Sequence, residues 1–393
     1  MTRGRRSPAW LAVVALLVVS YPIAARGDGS GLTTKVSTEV AGYQDSTATS
    51  VLTPSVGASV ESPTAGWGVN GRYLVDVVTA ASPDIVATAS PRWTEVRHAG
   101  NMGVRYKPDT FGVAATASAS YTNDYLALGG GGQLTKDLDD KTLTLVGGYS
   151  YGRDTIGRTG TPFAVFSRSL SYHSLNAGLS RVVNTGLVLG LYGDAIIERG
   201  DQSKPYRYIP MFSAADAAQL PRAASVDDVA NKRVTARPLE QLPLARERYA
   251  LTGRLGWRGE STTVRLEQRI YIDTWGLKAS TTDARYFIDL SNRVTVWPHL
   301  RVHAQSGVDF WRRAYIAVDA NHLPAYRTGD RELGRLTNVG GGGGIRVGLG
   351  KAGAIDDWVL ISTIDGTWTS FGDALYVRDR FSGLMSVALE ATF

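Results

Sequence analysis

Apolar and polar side chains alternate along the last segment of the chain, which ends on an aromatic residue. The positions of its apolar face are Phe381, Gly383, Met385, Val387, Leu389, Ala391 and Phe393. A period of two predicts a β-strand. An apolar strand face that ends on a terminal aromatic is typical of a bacterial outer-membrane barrel, although a half-buried soluble strand is the alternative. On the barrel interpretation, the membrane-insertion strand presents Met385, Val387, Leu389 and Phe393.

The same alternation recurs along the chain and predicts an all-β protein of about sixteen strands, within a range of about 12–18. The predicted strands are 33–43, 48–62, 66–78, 93–106, 110–122, 124–137, 141–152, 168–183, 186–199, 246–259, 261–275, 279–291, 294–312, 333–349, 355–370 and 376–393. No apolar run beyond the N-terminus approaches the roughly twenty residues of a membrane-spanning helix. A membrane location therefore requires a closed transmembrane antiparallel β-barrel, which also satisfies its backbone in lipid.

The connections between these strands sort by length. The long ones are 79–92, 153–167, 200–245 and 313–332, and all of them follow odd-numbered strands. Even-numbered strands are followed by tight turns such as Lys107-Pro-Asp109 and Asn184-Thr185. Short periplasmic turns and long external loops are the pattern of an even-stranded outer-membrane barrel. The spacing of Trp358 and Trp368, roughly 23 Å along a tilted strand, also matches two aromatic girdles.

The N-terminus, residues 1–27, resembles a cleavable signal peptide. Arg3, Arg5 and Arg6 precede an apolar run from Trp10 to Val19, which Pro22 ends. That run is about half the length of a membrane span, although an uncleaved anchor is the alternative. Residues 28–393 are then the mature barrel domain, exported to the outer membrane of a Gram-negative bacterium.

Composition excludes several classes of site. The chain has no Cys, which removes disulfides and thiolate metal ligands. Its formal charge is +6, but the signal peptide carries four arginines and no acid, so the mature chain is near +2 and no nucleic-acid partner is expected. Glycine runs at 129–132 and 340–344 lack the Lys-Ser/Thr of a phosphate loop and are interpreted as strand glycines. We expect no cofactor.

The histidines do not form a convincing metal or catalytic site. His299 and His303 share a strand face but lie about 13 Å apart, too far for one metal ion. An outer-membrane hydrolase is a less favoured alternative, because His173 next to Ser171 and Ser174 has poor geometry on a strand. We therefore expect neither a metal site nor an enzyme.

Charged residues accumulate on one face of four consecutive predicted strands, and we expect them to line the lumen. The set comprises Arg248, Arg254, Arg258, Arg265, Glu267, Arg269, Asp273, Asp283, Arg285, Asp289, Arg301, His303 and Asp309. Charges inside a water-filled barrel set ion selectivity and orient solutes. A lattice of salt bridges that braces the wall is an equally supported interpretation, and the two are compatible.

Loop 200–245 is the candidate for a constriction or a binding surface, because loops of this length are usually functional or disordered. Its first part has aromatic and basic residues between two prolines: Lys204, Tyr206, Arg207 and Tyr208. The Ala- and Asp-rich segment 214–230 predicts a short helix.

Three segments carry a resemblance to a known family: Arg158-Thr-Gly-Thr-Pro-Phe163, Ser203-Lys-Pro-Tyr-Arg-Tyr-Ile-Pro210 and Thr295-Val-Trp-Pro-His-Leu-Arg301. They resemble a family of uncharacterised Gram-negative proteins with a domain of unknown function, predicted to be outer-membrane barrels, over about residues 33–393. The resemblance implies location and fold, but no activity and no functional residues.

The function favoured by these features is porin-like passage or binding of small polar solutes through a charged lumen. A non-conducting surface, scaffold or secretion-partner barrel that acts through its external loops is the alternative. The expected partners are outer-membrane lipid, the barrel-insertion machinery that reads the terminal strand, and a small polar solute. The sequence does not decide the oligomeric state.

Overall fold

Sixteen strands close into one antiparallel barrel, which confirms the predicted fold and strand number. The computed structural model of the protein describes residues 31–82, 87, 93–317 and 323–393. The predicted signal peptide lies outside these residues. Among the described residues there is no helix with the length and apolar character of a membrane span.

The barrel strands are β1 (Thr33–Asp45), β2 (Thr49–Ser62), β3 (Trp67–Ala80), β4 (Trp93–Tyr106), β5 (Phe111–Thr122), β6 (Tyr125–Leu138), β7 (Leu143–Ile156), β8 (Arg168–Asn184), β9 (Leu187–Gly200), β11 (Ala245–Arg258), β12 (Thr262–Asp273), β13 (Lys278–Ser291), β14 (Val294–Gln305), β16 (Leu336–Ala352), β17 (Ile355–Phe371) and β18 (Asp379–Thr392). Two short strands, β10 (Met211–Phe212) and β15 (Tyr315–Ile316), pair in parallel outside the barrel.

The terminal strand closes the barrel, as its alternating pattern predicted. β18 pairs antiparallel with both β17 and β1, so that Leu389 stands opposite Leu360 and Thr38. The backbone N–H of Phe393 donates to the carbonyl of Thr34 at 2.8 Å. Phe381, Met385 and Val387 remain exposed. Their face is the outer one, because the polar positions between them lie on the face that carries the ion pairs of neighbouring strands.

The long connections all lie at one end of the barrel, which we call the loop rim. They are 157–167, 201–244 and the described parts of 306–335, and the β3 and β4 ends at Ala80 and Trp93 lie at the same rim. The shorter connections 46–48, 123–124, 274–277 and 372–378 also lie there. The other end has only short turns, such as 185–186 and 292–293. One predicted boundary was wrong: the strand placed at 294–312 ends at Gln305, after which the chain joins the rim loop.

Densely packed apolar residues lie in the rim loops and at the strand ends beneath them. Phe212, Leu220, Ala224 and Val229 form one buried cluster, against which Leu375 packs. A second cluster joins β10 and β15 through Met211 and Tyr315, together with Ile209. We call residues 201–244, 306–317, 323–335 and 372–378 the cap. Its core gives these loops a defined structure although they lie outside the barrel wall.

Two short α-helices and a 3-10 helix, Arg331–Leu333, belong to the cap, where the sequence predicted one helix. The α-helices are α1 (Ala214–Gln219) and α2 (Val226–Lys232). Ser213 and Ser225 cap their N-termini through their side chains, and Ser225 forms a reciprocal capping box with Asp228. Each cap satisfies an N–H group that would otherwise lack a partner in the first turn.

Candidate functional site: the lumen and its cap

Cross-strand pairing shows which residues face the lumen. Residues opposite each other on paired strands point to the same side of the sheet. Arg254 stands opposite Glu267, Glu267 opposite Asp283, and Asp283 opposite Arg301. The alternate positions, such as Leu255 and Leu266, belong to the apolar face. The predicted charges of β11–β14 therefore point into the barrel.

These inward charges form a continuous lattice, which we call the charged wall (β11–β14, with Asp194 and Asp365 from β9 and β17). Its ion pairs are Arg254–Glu267 at 2.7 Å, Arg258–Asp289 at 2.7 Å and Arg269–Asp194 at 3.0 Å. Each pair joins two different strands. The wall thus combines the two interpretations left open by the sequence: charges line the lumen, and they also brace it.

Asp283 is the centre of this lattice. Its carboxylate lies 2.9 Å from Nε2 of His299, 3.3 Å from Nε of Arg285 and 3.5 Å from Nη1 of Arg301. The other ring nitrogen of His299, Nδ1, lies 2.7 Å from Asp365 on β17. His299 therefore bridges two carboxylates from different strands.

The lumen is not filled by these side chains. Although paired, Arg254 and Arg301 each keep 55% of their side-chain surface accessible, and Arg258 keeps 49%. Buried charges in a packed interior would be almost fully covered. Space for water therefore remains along the charged wall.

The other predicted lumen residues have varied surroundings. Arg265 lies over the ring of Phe287 at 4.9 Å, and His303 Nδ1 lies 2.7 Å from the hydroxyl of Thr281. Asp273 is buried at the rim and pairs with Arg246 at 2.5 Å. The placement of Asp309 on a wall strand was wrong. It follows the end of β14 and packs against Gly276 in the 274–277 connection, because the chain leaves the wall at Gln305.

The opposite side of the lumen has a different character, and we call it the neutral wall. It comprises the inward positions of residues 114–120, 127–135, 144–152 and 170–180 on β5–β8, together with Asn70 and Asn101 on β3 and β4. None of these inward positions is charged. They are mostly Gly, Ala, Ser and Thr, with Asn176 and Tyr172 among the few larger side chains. This wall was not predicted from the sequence, because its small neutral residues resemble those of any strand and only its glycine run at 129–132 stands out.

Glycines position the larger side chains of the inner surface. A Cβ added to Gly103 would lie 2.8 Å from Oδ1 of Asn70, which stands opposite it. A Cβ at Gly152 would lie 2.0 Å from Cζ of Tyr172, its partner across β7 and β8. On β16 and β17, Gly342 likewise stands opposite Asp365. Each of these glycines leaves space that a longer side chain from the next strand occupies.

The cap is held together by a buried network around Arg207. Its guanidinium lies 3.2 Å from Oε1 of Glu240 and 3.3 Å from Oδ2 of Asp330. The hydroxyl of Thr328 donates to Glu240, whose side chain is 1% exposed. Burial lowers the pKa of Arg207, but Asp330 and Glu240 outweigh that effect and raise it. This network connects the 201–244 loop to the 306–335 loop.

The 201–244 loop crosses the mouth of the barrel. It leaves the wall between β9 and β11, yet the N–H of Ala223 donates to the carbonyl of Ala374 at 2.8 Å, beside β17 and β18. On another side, the hydroxyl of Tyr206 donates to Asp124, between β5 and β6, at 2.5 Å. Points so widely spread around a closed barrel are connected only across its opening.

The predicted loop residues contribute unequally to this arrangement. Tyr206 and Arg207 hold the cap to its neighbours, as described above. Tyr208 is exposed, with Arg237 over its ring at 5.7 Å. Lys204 contributes its backbone N–H, which donates to Glu240 at 2.9 Å. Burial and the hydrogen bond to Asp124 raise the pKa of Tyr206.

The histidine of the hydrolase alternative lies in an aromatic environment. His173 Nδ1 lies 2.8 Å from the hydroxyl of Tyr149, and its ring is 5.1 Å from that of Tyr151. The hydroxyl of Ser171 donates to the carbonyl of Arg199. No group of three or more metal-ligating side chains is close enough to hold a metal ion within the described part of the chain.

Comparison with known proteins finds a family model that matches just under half of the chain, and it names no activity. Residues 167–357 match the model of a family described as protein of unknown function, DUF3570. This match confirms the resemblance seen in the sequence. The DUF3570 span contains β8–β16, the charged strands and most of the cap. Two of the three resembling segments fall inside it, and the segment at 158–163 precedes it. A search of curated proteins found no match.

Solved structures of other barrels are similar at low identity. CdiB from Acinetobacter baumannii aligns with a TM-score of 0.46 and 8% identity over 92% of this chain and 60% of its own. The outer-membrane protein OpdK from Pseudomonas aeruginosa aligns with a TM-score of 0.44 and 8% identity over 92% of this chain and 99% of its own. The siderophore receptor PirA from Acinetobacter baumannii aligns with a TM-score of 0.39 and 11% identity over 86% of this chain and 53% of its own. The chain thus spans little more than half of the CdiB and PirA chains.

Proposed function

We propose that the protein is a barrel of the Gram-negative outer membrane through which small polar solutes pass, with the cap as its constriction. The observation that carries this proposal is the accessible surface of paired lumen charges, such as the 55% of Arg254 and of Arg301. An interior that water reaches and that polar groups line is suited to hydrated solutes. The apolar outer positions of β18 support the membrane location.

The charged wall acts as a fixed field with little net charge. Because most of its arginines are paired with carboxylates, the wall orients dipolar solutes without strongly attracting either sign of ion. The pairs also hold neighbouring strands in register at the lumen surface. We expect modest ion selectivity in the native protein.

The proposal includes export across the inner membrane and insertion into the outer membrane. Residues 1–27 serve as the signal peptide, and β18, with Met385, Val387, Leu389 and Phe393, is the strand that the insertion machinery recognises. Outer-membrane lipid then covers the apolar outer face. We assign the protein no catalytic role, since the hydroxyl of Ser171 donates to the carbonyl of Arg199 rather than to His173.

Conductance in a planar bilayer tests the passage function. The refolded mature protein, residues 28–393, is compared with a variant in which a short Gly-Ser linker replaces residues 205–240. We expect channels in both proteins and at least a severalfold larger conductance in the variant, because the segment that crosses the mouth is removed. Lys351→Gln, at the short-turn rim, is the control and should leave the conductance unchanged.

Two results of the conductance measurement would contradict parts of this proposal. Equal conductance of the two proteins would remove the constriction role from the loop. Absence of current from both, with the barrel folded by heat-modifiable gel mobility, would contradict passage altogether. That result would favour the second candidate, a non-conducting surface barrel. The observation in its favour is that the cap crosses the mouth with a buried core of its own.

A further inference from the structure

The neutral wall contains a cavity with the composition of a ligand site. Its volume is about 300 Å³, at the lower end of the range for small-molecule sites. The polar residues that line it are Asn70, Asn101, Thr116, Ser118, Ser150 and Tyr172. They come from β3, β4, β5, β7 and β8, so the closed barrel creates this cavity and no single hairpin does.

The polar groups of this cavity are available to a ligand. The amides of Asn70 and Asn101, the hydroxyls of Ser118 and Ser150, and the phenol of Tyr172 have no hydrogen-bond partner among the described residues. Most side-chain polar groups of the charged wall, by contrast, are already paired. Amides and hydroxyls both donate and accept, so the cavity offers mixed hydrogen-bonding capacity around one space.

Two of these groups are held against the wall by glycines. Asn70 lies over Gly103, and the ring of Tyr172 lies over Gly152, with the distances given above. An ideal Cβ at Gly129 would also lie 3.6 Å from the hydroxyl of Tyr172. The aromatic ring therefore lies along the wall rather than across the lumen, which leaves its exposed face to the cavity. Such preorganisation reduces the entropy lost on binding.

No charged side chain lines the cavity, and this restricts the ligand class. The nearest inward arginines, Arg72 and Arg105, are each paired, with Glu39 at 2.5 Å and Glu61 at 2.6 Å. A charged solute would lose hydration without gaining a counter-charge. An apolar solute would leave the amides and hydroxyls without partners as water is displaced. A neutral solute with many hydroxyl groups meets both conditions.

We propose that the neutral wall carries a binding site for a neutral polyhydroxylated solute of the class of mono- and disaccharides. This inference rests on the proposed passage function and names the solute class that the lumen holds on its way through. Hydroxyls of the sugar bind the amides of Asn70 and Asn101 and the hydroxyls of Ser118 and Ser150. The ring of Tyr172 contacts an apolar face of the pyranose, and its phenol hydrogen-bonds a further hydroxyl of the sugar.

Equilibrium binding to the refolded mature protein in detergent tests the site independently of current. The probes are radiolabelled glucose and maltose, with glucuronate as the charged analogue of the same ring. We expect saturable binding of the neutral sugars and none of glucuronate. Asn101→Ala and Tyr172→Phe should each weaken binding about threefold to tenfold, the effect of one lost hydrogen bond. Asn338→Ala, an inward amide on β16, is the matched control and should bind normally.

A second variant keeps every polar group and changes only the space. Gly152→Val displaces the ring of Tyr172 into the cavity and should weaken binding at least as much as Tyr172→Phe. Heat-modifiable gel mobility confirms that each variant is folded. Absence of saturable glucose or maltose binding, equal binding by all variants, or preferential binding of glucuronate would overturn the proposal.

The two proposals fail differently when conductance is measured on the same preparations. Channels without sugar binding would overturn the saccharide site and retain passage. Sugar binding that Asn101→Ala weakens, without any current, would retain the site and overturn passage.

Discussion

The two sides of the lumen solve the same structural problem with different chemistry. On the charged wall, long side chains from neighbouring strands meet as ion pairs, and Asp283 alone contacts His299, Arg285 and Arg301. On the neutral wall most side chains are small, and the larger polar groups, such as Asn70 and Tyr172, have no hydrogen-bond partner among the described residues. On the charged wall, polar side chains pair with one another and brace the barrel. On the neutral wall, polar side chains remain available to bind a ligand. The difference shows that the most conspicuous charges need not form the ligand site.

Reversing the unpaired arginine of the charged wall should have the largest effect on ion selectivity. Arg265 lies over Phe287 and has no ion-pair partner among the described residues. Arg265→Glu changes the lumen charge by two without breaking a pair, so we expect a clear shift towards cations. The reversal potential in a salt gradient measures it. Lys351→Glu, at the exposed short-turn rim, should give little change; equal shifts in both would place Arg265 outside the conduction path.

Removing one charge from the lattice should have a smaller effect, of opposite sign. Asp283→Asn leaves His299, Arg285 and Arg301 without their shared carboxylate, so the lumen becomes more positive and favours anions. Loss of charge-assisted contacts should also lower stability by about 1–3 kcal/mol. Reversal potential and urea unfolding in lipid measure the two effects. Asp356→Asn is the exposed control, and an Asp283→Asn protein that matched it would contradict a bracing lattice.

Glycine substitutions should distinguish the packing of the neutral wall from that of β16, whose Gly342 stands opposite Asp365 of the charged wall. In Gly342→Ala the new Cβ would lie 2.1 Å from the carbonyl oxygen of Ile364, which belongs to a rigid strand. In Gly152→Ala it would meet the ring of Tyr172, which can rotate away. We expect a loss of about 1–3 kcal/mol for Gly342→Ala and a smaller loss for Gly152→Ala. Gly253→Ala, with open space around its Cβ, is the control in urea unfolding. The reverse order would show that the neutral wall is the rigid one.

The smallest effect concerns the attachment of the cap on the neutral side. The raised pKa of Tyr206 means that folding stabilises its neutral, donating form. This contribution is complete below the ordinary tyrosine pKa near 10 and is lost as pH rises through the raised value. Conductance should therefore increase slightly at strongly alkaline pH. Tyr206→Phe should show the larger conductance already at neutral pH and lose this pH dependence. A wild-type response identical to that of the variant would exclude this contact as a latch.

Much of the barrel was predictable because its signals are local. The terminal pattern from Phe381 to Phe393 predicted an outward apolar face and a closing strand, and the loop lengths predicted which rim carries the long connections. The error at Asp309 arose because alternation continued in the sequence after Gln305, although the pairing of β14 with β13 and β16 ends at that residue. The helical tendency of 214–230 was also visible, but not the break between α1 and α2.

The sequence by itself determined which residues share a strand face, because alternation depends only on neighbouring positions along one chain. It thereby placed Arg254 and Glu267 on inward faces, and Met385 and Val387 on an outward one. Only the tertiary structure decided that Asp283 contacts His299, Arg285 and Arg301, that Gly152 makes room for Tyr172, and that Asn70 and Ser150 border one cavity. These relations depend on register and barrel closure, which join residues far apart in the chain. The path of the 201–244 loop across the mouth has the same origin, since contacts with distant connections direct it.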